Sequence, residues 1–592
     1  MADSSDFASF MSDTNGINFY MADPDLAFVL RGHLAEEDAN RAQEILTEMG
    51  AVASQKVDEL AEIANRQGPV LVQYDKRGQR IDEVIFHPAY YELERIAYQD
   101  FALAACTHRE GALGWPGRVP QPIKFALAYL GMQAESGVFC PVSMTDALAR
   151  VLERYGSEAL KRRFLPGLTA LTMNELTQGA MFLTEKQSGS DLGLTTTIAR
   201  PRAIVNASED ELQPEWELWG DKWFCSNVSA ELILTLARPE GAPPGTRGLG
   251  LFLVPRMLDD GTRNAYMINR LKDKLGTRSL ATGEVTLHGA QAYQVGRLDR
   301  GFVQMAEMIN LTRIWAAMGS LAAMRRSFLE ALIHTRGRVV FGRKLAEHPL
   351  MRRQLVDLLI EIEGCAALAF ETAAVLERVD RHGVEEDARL LRILTPLCKY
   401  YIPKQGEYVT LEALEMRGGN GYVEDWANPR MLRDAIVNVI WEGSSNVIVL
   451  DVARAINREG AAAALVGMLH QRLQALEQPI VVPIAWEVQA LVNQVAERLQ
   501  HLSTLDADNA QLPLRGLVER MAQLTITTLL LEQAESELLR GPEGTGKRKW
   551  LIAHLYLRRH MVMHPEGWAA DNDPRVLNHF DELMDWEPIA VD

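Results

Sequence analysis

Cysteine is scarce in this sequence, and the five cysteines are scattered without a CxxC pair. This usage argues against a disulfide scaffold or a cysteine zinc site, and it predicts a reducing compartment. The N-terminal segment lacks the basic start and the apolar run of a signal peptide. No apolar stretch approaches the roughly eighteen residues of a membrane span. The sequence therefore predicts a cytoplasmic protein with no membrane association and no metal site.

Basic residues are also fewer than acidic residues. Lysine and arginine total 61 against 79 aspartates and glutamates, so the net charge is −18. The overall field thus opposes binding to nucleic acid or to an anionic membrane. With 47% hydrophobic and 24% charged residues, the composition excludes a mainly disordered or fibrous chain. A chain of 592 residues suggests about four packed units.

The hydrophobic pattern changes twice along the chain. Helical periodicity dominates residues 36–178, including stretches at 36–68 and 90–130, after an N-terminal arm at 1–35. Short β-branched or alternating runs between glycine, proline and aspartate turns fill residues 179–296, which predicts a β-sandwich or barrel. Helical patterns return at 297–456 and continue through an extension at 457–592 that ends in an acidic tail. The predicted fold class is a multidomain α+β protein in the order helical, β, helical.

Glu442 lies in the most informative segment, IWEGSSNVIVLDVAR. Its carboxylate stands between an apolar run with Trp441 and a Gly-Ser-Ser turn that precedes a helix. Apolar surroundings raise a carboxyl pKa toward neutrality, where the group can act as a general base. The alternative is a structural carboxylate that interacts with free N–H groups at the helix start.

Two segments of the β-region carry hydroxyl and aromatic groups. In FLTEKQSGSDLG, Thr184, Ser188 and Ser190 surround Gly189, so hydroxyls and backbone N–H groups could meet a polar or anionic ring edge. In DKWFCSN, Phe224 combines a stacking surface with the hydroxyl of Ser226. A plain turn and a core aromatic are the simpler interpretations of these two segments.

Two glycine-containing segments follow in the helical region. RVVFG places Arg338 and Phe341 before a glycine, and EMRGGNGY places Gly418 and Gly419 after a helix. Glycines in that position are often a helix C-cap, and no strand precedes them as a dinucleotide fingerprint requires. They could nevertheless let backbone N–H groups approach a pyrophosphate.

Together, TEKQSGSD, KWFCSN, RVVFG, RGGNGY and IWEGSSN, in this order, resemble the acyl-CoA dehydrogenase family of flavoproteins over roughly residues 19–450. NFYMADPDL, YDKRGQRIDEVIFHP and LKDKLGTRS are similar to the AidB-like branch of that family. The resemblance implies a helical N-terminal domain, a middle β-domain, a C-terminal four-helix bundle with a helical extension, and FAD held between the β-domain and the bundle.

The resemblance also implies roles for individual residues. Glu442 matches the catalytic base, and Arg313 resembles an arginine close to the substrate. Residues similar to the family's FAD contacts are Thr184, Ser190, Phe224, Ser226, Arg338, Phe341, Glu415, Gly418, Gly419, Ser444 and Asn446. Arg338 and Phe341 resemble a pair that reaches the FAD of a neighbouring subunit, which implies a homotetramer or homodimer. Departures are Pro349 and Glu415, which stand where the family often has glutamine.

The implied reaction is FAD-dependent α,β-dehydrogenation of an acyl-CoA to the trans-2-enoyl-CoA in fatty acid metabolism. Glu442 would remove the α-proton, flavin N5 would accept the hydride, and an electron-transfer flavoprotein would take the electrons. One alternative is an AidB-like flavoprotein with a DNA-associated or acyl-ligand-binding role and little turnover. Another is oxidation of a non-CoA substrate or reoxidation by oxygen. DNA binding would need a basic patch in the extension, for which the candidates are Lys547, Arg548, Lys549, Arg558 and Arg559.

Overall fold

The computed structural model describes residues 13–202, 212–502, 504–541, 546–561 and 573–590. Parts of the N-terminal arm and of the acidic tail therefore lie outside the described residues. The chain divides into two compact units. The helical unit comprises Met1–Ser54, Gln121–Gln133 and Ala316–Asp592, and the barrel unit comprises Gln55–Pro120 and Ala134–Trp315.

The barrel unit contains seven strands of one sheet, preceded by helices and a hairpin. The helices and the hairpin are α3 (Asp58–Arg66), β1 (Val70–Tyr74), β2 (Arg80–Ile85), α4 (Pro88–Glu94), α6 (Phe139–Tyr155) and α7 (Glu158–Leu168). The strands of the sheet are β3 (Gly179–Phe182), β4 (Ile198–Pro201), β5 (Trp216–Ser226), β6 (Leu232–Pro239), β7 (Gly250–Pro255), β8 (Tyr266–Leu271) and β9 (Thr282–Gln294).

The sheet closes on itself. Strands pair in the order β6, β4, β5, β9 and β7, and β7 pairs back with β6. β3 adds to β6 in parallel, and β8 adds to β9. The interior is apolar, as shown by Leu218, Ile233, Phe252 and Val285, each at most 1% exposed. A closed barrel leaves no unpaired edge around its ring, and the predicted β-domain is confirmed as a barrel.

The helical unit begins with α1 (Pro24–His33), α2 (Glu36–Val52) and α5 (Gln121–Met132). Helix α8 (Gly301–Gly337) contributes residues to both units, and a hairpin of β10 (Val339–Val340) and β11 (Arg343–Lys344) follows it. The later helices are α9 (Pro349–His382), α10 (Glu385–Met416), α11 (Ala427–Val437), α12 (Ser445–Glu459), α13 (Ala461–Gln474), α14 (Val482–Leu502), α15 (Leu514–Arg540), α16 (Arg548–Met561), α17 (Arg575–Asn578) and α18 (Phe580–Asp585). The predicted helical bundle with its helical extension is thereby confirmed.

One predicted helix is interrupted. The pattern at residues 90–130 indicated helix throughout, but α4 passes into a short π-helical turn at Arg95–Asp100 and the next α-helix begins only at Gln121. Gly111 and Gly114 have φ of +78° and +70°, and prolines at 116 and 120 remove backbone donors. Residues such as Leu103 are still fully buried, so the apolar pattern marked burial rather than helix.

The extension is joined to the bundle through buried charges on α9. Glu361, Glu363 and Glu371 are each at most 1% exposed. Arg559 pairs with Glu361 at 3.2 Å, and Arg472 pairs with Glu371 at 2.6 Å. Because a lone buried carboxylate is costly, these pairs make the extension part of the core of the helical unit.

Two central members of the candidate basic patch in the extension are buried rather than on the surface. Arg548 and Lys549 are 0% exposed. Arg548 pairs with Glu363 at 2.6 Å, and Lys549 pairs with both Glu363 and Asp25. Arg558 and Arg559 are also ion-paired, with Glu487 and with the carboxylates of α9. The sequence shows the cations together, but it does not show the distant carboxylates that neutralise them.

Within the described residues, no helix has the length and apolar character needed to cross a bilayer.

Candidate active site

A buried ion pair holds the loop that follows β3. Glu185 and Lys222 are at most 2% exposed, and the Lys222 Nζ lies 2.9 Å from Glu185 Oε1. Glu185 also accepts hydrogen bonds from the Thr196 and Thr197 backbone N–H groups. Burial alone would raise the pKa of Glu185, but Lys222 and the Thr197 hydroxyl lower it to about 2. The carboxylate is therefore ionised and fixes both ends of the loop.

Two of the three hydroxyl-bearing residues that the sequence places on this loop are at least partly exposed. Thr184 is half-buried and Ser190 is exposed. The Thr184 carbonyl accepts a 2.8 Å hydrogen bond from the Trp223 N–H, which joins the loop to β5. Ser188 is fully buried, and its hydroxyl donates to the Asp191 carbonyl at 2.8 Å. For Ser188 the structure therefore agrees with the simpler interpretation of a turn, because its hydroxyl closes the turn internally.

The end of β5 turns an aromatic side chain outward. The pairing of β5 with β9 shifts register between Lys222 and Cys225, and such irregularities re-aim side chains. Phe224 is 56% exposed, so it is not a core aromatic. The Lys272 Nζ lies 4.8 Å from its ring centroid. Ser226 is half-buried, with its Oγ 3.3 Å from the Thr282 hydroxyl.

Arg313 lies on the part of α8 that belongs to the barrel unit. It is 8% exposed, and its guanidinium donates to Asn310 Oδ1 at 3.1 Å. Two residues later, the Trp315 indole donates to Asp146 Oδ2 at 2.8 Å. The other oxygen of Asp146 lies 2.8 Å from His108. These bonds fix the rotation of α8 against α6 and hence the position of Arg313.

His108 adds charged contacts to the group that includes Asp146 and Trp315. Its second ring nitrogen lies 3.0 Å from Glu153. Burial alone would lower the pKa of His108, but Asp146 and Glu153 raise it above its usual value. Both ring nitrogens thus face carboxylate oxygens, an arrangement that favours the protonated ring, and nothing in the sequence spacing marks this group.

Glu442 lies in the turn between α11 and α12 in a strained backbone conformation. Its φ is +59°, and that of Gly443 is +111°. A non-glycine residue in the left-handed region costs about 1–3 kcal/mol and persists only where its surroundings enforce it. The carboxylate side chain is half-buried.

Lys399 of α10 supplies that enforcement. It is 2% exposed. Its Nζ donates to the carbonyl oxygen of Asn438 at 2.7 Å and to that of Gly443 at 3.2 Å. These carbonyls flank Glu442, so one ammonium group fixes the turn on both sides.

The N-terminus of α12 faces outward directly after this turn. Ser444 is its N-cap, and its side chain makes no capping hydrogen bond. Ser444 and Asn446 are both exposed. The first N–H groups of the helix are therefore not capped by Ser444, which is the arrangement that binds anions at helix N-termini.

The remaining candidates lie on a hairpin and a turn of the helical unit. Phe341 and Gly342 form the tip of the β10–β11 hairpin with φ of +51° and +83°, as a type I′ turn requires. Phe341 is 98% exposed, and Arg338 before β10 is exposed too. After α10, a short helical turn begins at Gly418. Glu415, Gly418 and Gly419 are exposed, and a Cβ at either glycine would meet nothing within 4 Å.

Comparison with known proteins now places these features in a family. The model of the acyl-CoA dehydrogenase C-terminal domain matches residues 299–457, and that of the middle domain matches residues 180–290. The model of the N-terminal domain of the adaptive response protein AidB matches residues 11–174.

Individual proteins agree with these matches. AidB of Escherichia coli K12 is 35% identical over 456 residues, which cover 75% of this chain and 79% of AidB. Acyl-CoA dehydrogenase family member 11 of Caenorhabditis elegans is 34% identical over 447 residues, covering 74% of this chain and 70% of its own. The crystal structure of C. elegans ACDH-11 in complex with C11-CoA has a TM-score of 0.85 at 28% identity, covering 97% of this chain and 96% of that one.

The chain belongs to the acyl-CoA dehydrogenase family, a class of FAD-dependent oxidoreductases. Within this family, the N-terminal match and the likeness to AidB assign it to the AidB-like branch.

Proposed function

We propose that this protein oxidises an acyl-CoA thioester to the trans-2-enoyl-CoA, with Glu442 as the catalytic base. The observation that carries the proposal is the turn of Glu442, which has strained backbone, is fixed by Lys399 and lies within the matched C-terminal domain. Strain at a residue with an ionisable side chain is typical of functional sites. A purely structural carboxylate at a helix start would not need a left-handed backbone.

Glu442 would act on the α-carbon of the thioester. An α-C–H bond becomes acidic enough for a carboxylate only when the thioester carbonyl is polarised, and we assign that donation to the backbone N–H of Glu442. The carboxylate oxygen would then take the α-proton while the β-hydrogen leaves with its electron pair. Arg313, buried and fixed through its neighbour Trp315, is the proposed substrate-side cation.

The residues present fit FAD. In the barrel unit, Phe224 offers an exposed ring face, and the hydroxyls of Thr184, Ser190 and Ser226 remain at least partly accessible. These groups suit the aromatic ring system and its polar edge. Bound FAD would supply a two-electron acceptor for the hydrogen that leaves the β-carbon.

The helical unit offers groups suited to the phosphates and adenine of FAD. The N-terminus of α12 with Ser444 and Asn446 can receive an anionic group. Gly418 and Gly419 have no Cβ and open space before them, so a pyrophosphate could approach their backbone. Arg338 adds a cation, whereas Glu415 is a carboxylate and would have to accept a hydrogen bond rather than donate one.

We also propose that the active form is a homo-oligomer, a tetramer or a dimer. Phe341 projects from its hairpin at 98% exposure, and Leu350 and Tyr422 are 87% and 83% exposed. Large apolar groups presented in this way are typical of surfaces that bind another chain. Arg338 and Phe341 would then contact the FAD of a second copy. An electron-transfer flavoprotein is the proposed electron acceptor.

Anaerobic mixing with a panel of acyl-CoAs tests the proposed reaction. The flavin absorption of the wild-type protein should bleach with at least one thioester. In Glu442→Gln, the bleaching rate should fall by about 10²–10⁴-fold, because a positioned base contributes that much, while the FAD content stays the same. The matched control is Glu386→Gln, an exposed glutamate in the first turn of α10, which should bleach like the wild type.

Two outcomes would contradict the proposal. If Glu442→Gln bleaches as fast as the wild type, another group is the base. If no thioester bleaches a fully flavinated wild-type protein, the chain does not dehydrogenate these acyl-CoAs, and the alternative of a binding protein with little turnover is favoured.

A further inference from the structure

The C-terminal extension contains a groove that the proposed reaction does not use. It lies along α14 and α15 and the segment that connects them, and its volume is about 480 Å³. Small-molecule sites in proteins occupy roughly 300–1,000 Å³. The apolar part of its lining includes Leu491, Val495, Leu502, Leu505, Leu517 and Met561. The groove therefore has the volume and the apolar lining that are typical of a small-molecule site.

The ionisable side chains that line the groove are all basic. Arg498, His501 and Arg520 line it with Gln494, and no lining residue is acidic. Arg498 forms no ion pair with any residue that the structure describes. His501 Nδ1 lies 3.3 Å from the Thr504 hydroxyl, so the ring has a neutral neighbour.

Arg520 is the most informative of these cations. It is half-buried, and its guanidinium donates to the His560 carbonyl at 3.1 Å. Within the described part of the chain it has no carboxylate ion-pair partner, although Glu519 is its sequence neighbour. Burial lowers the pKa of Arg520 more than Glu519 raises it. A partly desolvated guanidinium without a carboxylate is costly, and a bound anion would relieve that cost.

Among the described arginines of the extension that are buried or half-buried, all except Arg520 pair with a carboxylate. Arg472, Arg548, Arg558 and Arg559 each pair with at least one carboxylate. Arg498 is exposed and also lacks a carboxylate partner among the described residues, and both Arg498 and Arg520 line the apolar groove. This combination complements a ligand with an apolar chain and an anionic head.

We propose that this groove binds a free fatty-acid anion, with the chain on the leucine floor and the carboxylate between Arg498 and Arg520. A carboxylate matches the planar, multi-donor guanidinium group, which can bind its two oxygens together. The site lies in the extension, separate from Glu442, and it does not depend on dehydrogenation.

Gly516 allows the groove to be filled without disturbing the fold. It lines the groove on α15, and a Cβ built there meets nothing within 4 Å. Gly516→Leu should therefore occupy the groove and favour the helix, because leucine has a higher helix propensity than glycine. Gly467→Leu is the matched control, since Gly467 lies in α13, also has open space, and does not line the groove.

The test is calorimetric titration of the full-length, FAD-saturated protein with dodecanoate. We expect saturable binding in the wild type. The affinity should fall at least tenfold in Gly516→Leu and in the double variant Arg498→Gln/Arg520→Gln, and it should be unchanged in Gly467→Leu. Arg515→Gln, on the same helix but outside the groove, should also leave affinity unchanged. Dodecanol and dodecyltrimethylammonium should bind at least tenfold more weakly than dodecanoate, because neither offers an anionic head.

Three results would overturn the proposal. Dodecanoate could fail to bind, or it could bind Gly516→Leu as tightly as the wild type, which would place it in another site such as the acyl pocket. Equal affinity for dodecyltrimethylammonium would show that the arginines do not select the ligand. Thermal unfolding of each variant, with Gly516→Leu at least as stable as the wild type, excludes misfolding as the reason for lost binding.

Discussion

Two buried lysines each fix a candidate functional loop, one in each unit, and they do so differently. In the barrel unit, Lys222 binds the carboxylate of Glu185 at 2.9 Å and the Leu236 carbonyl at 3.0 Å. In the helical unit, Lys399 binds two backbone carbonyls at 2.7 and 3.2 Å, one on each side of Glu442. The first lysine neutralises a buried charge beneath a loop, whereas the second holds backbone in a strained shape.

Because the two lysines bind different groups, we expect the loss of Lys222 to lower mainly the stability of the fold and the loss of Lys399 to lower mainly the reaction rate. Removal of Lys222 would leave a buried carboxylate without its cation, which costs the fold. Removal of Lys399 would free two carbonyls beside the proposed base, and its main effect should fall on the position of Glu442. Both lysines are therefore positioning residues in this proposal, but they should differ in which measurement detects them.

The largest expected effect is the loss of stability in Lys222→Met. Breaking a buried ion pair by removing one partner typically costs about 3–5 kcal/mol. Chemical denaturation should show this decrease in the free energy of unfolding. A second variant, Glu185→Gln/Lys222→Met, should recover part of the loss because no buried charge remains. If the single variant is as stable as the wild type, Glu185 is not held as an ion and the comparison fails.

The loop that follows β3 was easier to predict from sequence than the Glu185–Lys222 ion pair that holds it. TEKQSGSD and KWFCSN identified the two segments that the structure joins through the Thr184 carbonyl and the Trp223 N–H. The alternation of β5 also gives a signal for Lys222, since a lysine at an inward position of a strand must be paired. The role of Ser188 was left open between a ligand contact and a plain turn, because sequence alone does not tell which hydroxyls of a turn point inward.

The helical unit was less predictable in its long-range contacts. The segment around Glu442 was identified, but Lys399 precedes it by more than 40 residues and lies in an ordinary helical pattern. The same limit applies to Arg548 and Lys549, which were only candidates for a basic patch and whose burial depends on Glu363, 185 residues away from Arg548. Local motifs predict loops, whereas partners across a bundle depend on helix packing that one sequence does not fix.

A smaller effect on stability, with a larger effect on rate, is expected for Lys399→Met. Leaving buried carbonyls unbonded costs about 1–3 kcal/mol, less than for Lys222→Met. The rate of flavin bleaching by a good acyl-CoA should fall at least about tenfold, because small displacements of a catalytic group are expensive. FAD content should not change.

Lys404→Met is the matched control for Lys399. Lys404 lies on the same helix and is about one-third exposed, where it pairs with Glu407. It should alter neither the rate nor the stability beyond a small surface effect. If Lys399→Met loses stability but keeps the wild-type rate, Lys399 is a structural residue only, and the two lysines are alike.

The smallest expected effect is on how the free energy of unfolding decreases at acid pH. The pKa of Glu185 is about 2 in the folded protein, below the value of 4.5 for a free glutamate. Its contribution is therefore complete above about pH 4.5 and disappears as the pH falls toward about 2. One such group changes the slope of unfolding free energy against pH by at most about 1.4 kcal/mol per pH unit.

Comparison of the wild type with Glu185→Gln/Lys222→Met isolates this slope. All other carboxylates are common to both proteins, so the difference between their acid limbs reports the Glu185 site alone. Between about pH 4.5 and pH 3, the wild type should lose stability more steeply than the double variant. Parallel acid limbs would mean that Glu185 titrates alike in folded and unfolded protein, so that the pair with Lys222 supplies no ionic stabilisation. The barrel lysine would then support its loop through its hydrogen bonds to Glu185 and to the Leu236 carbonyl.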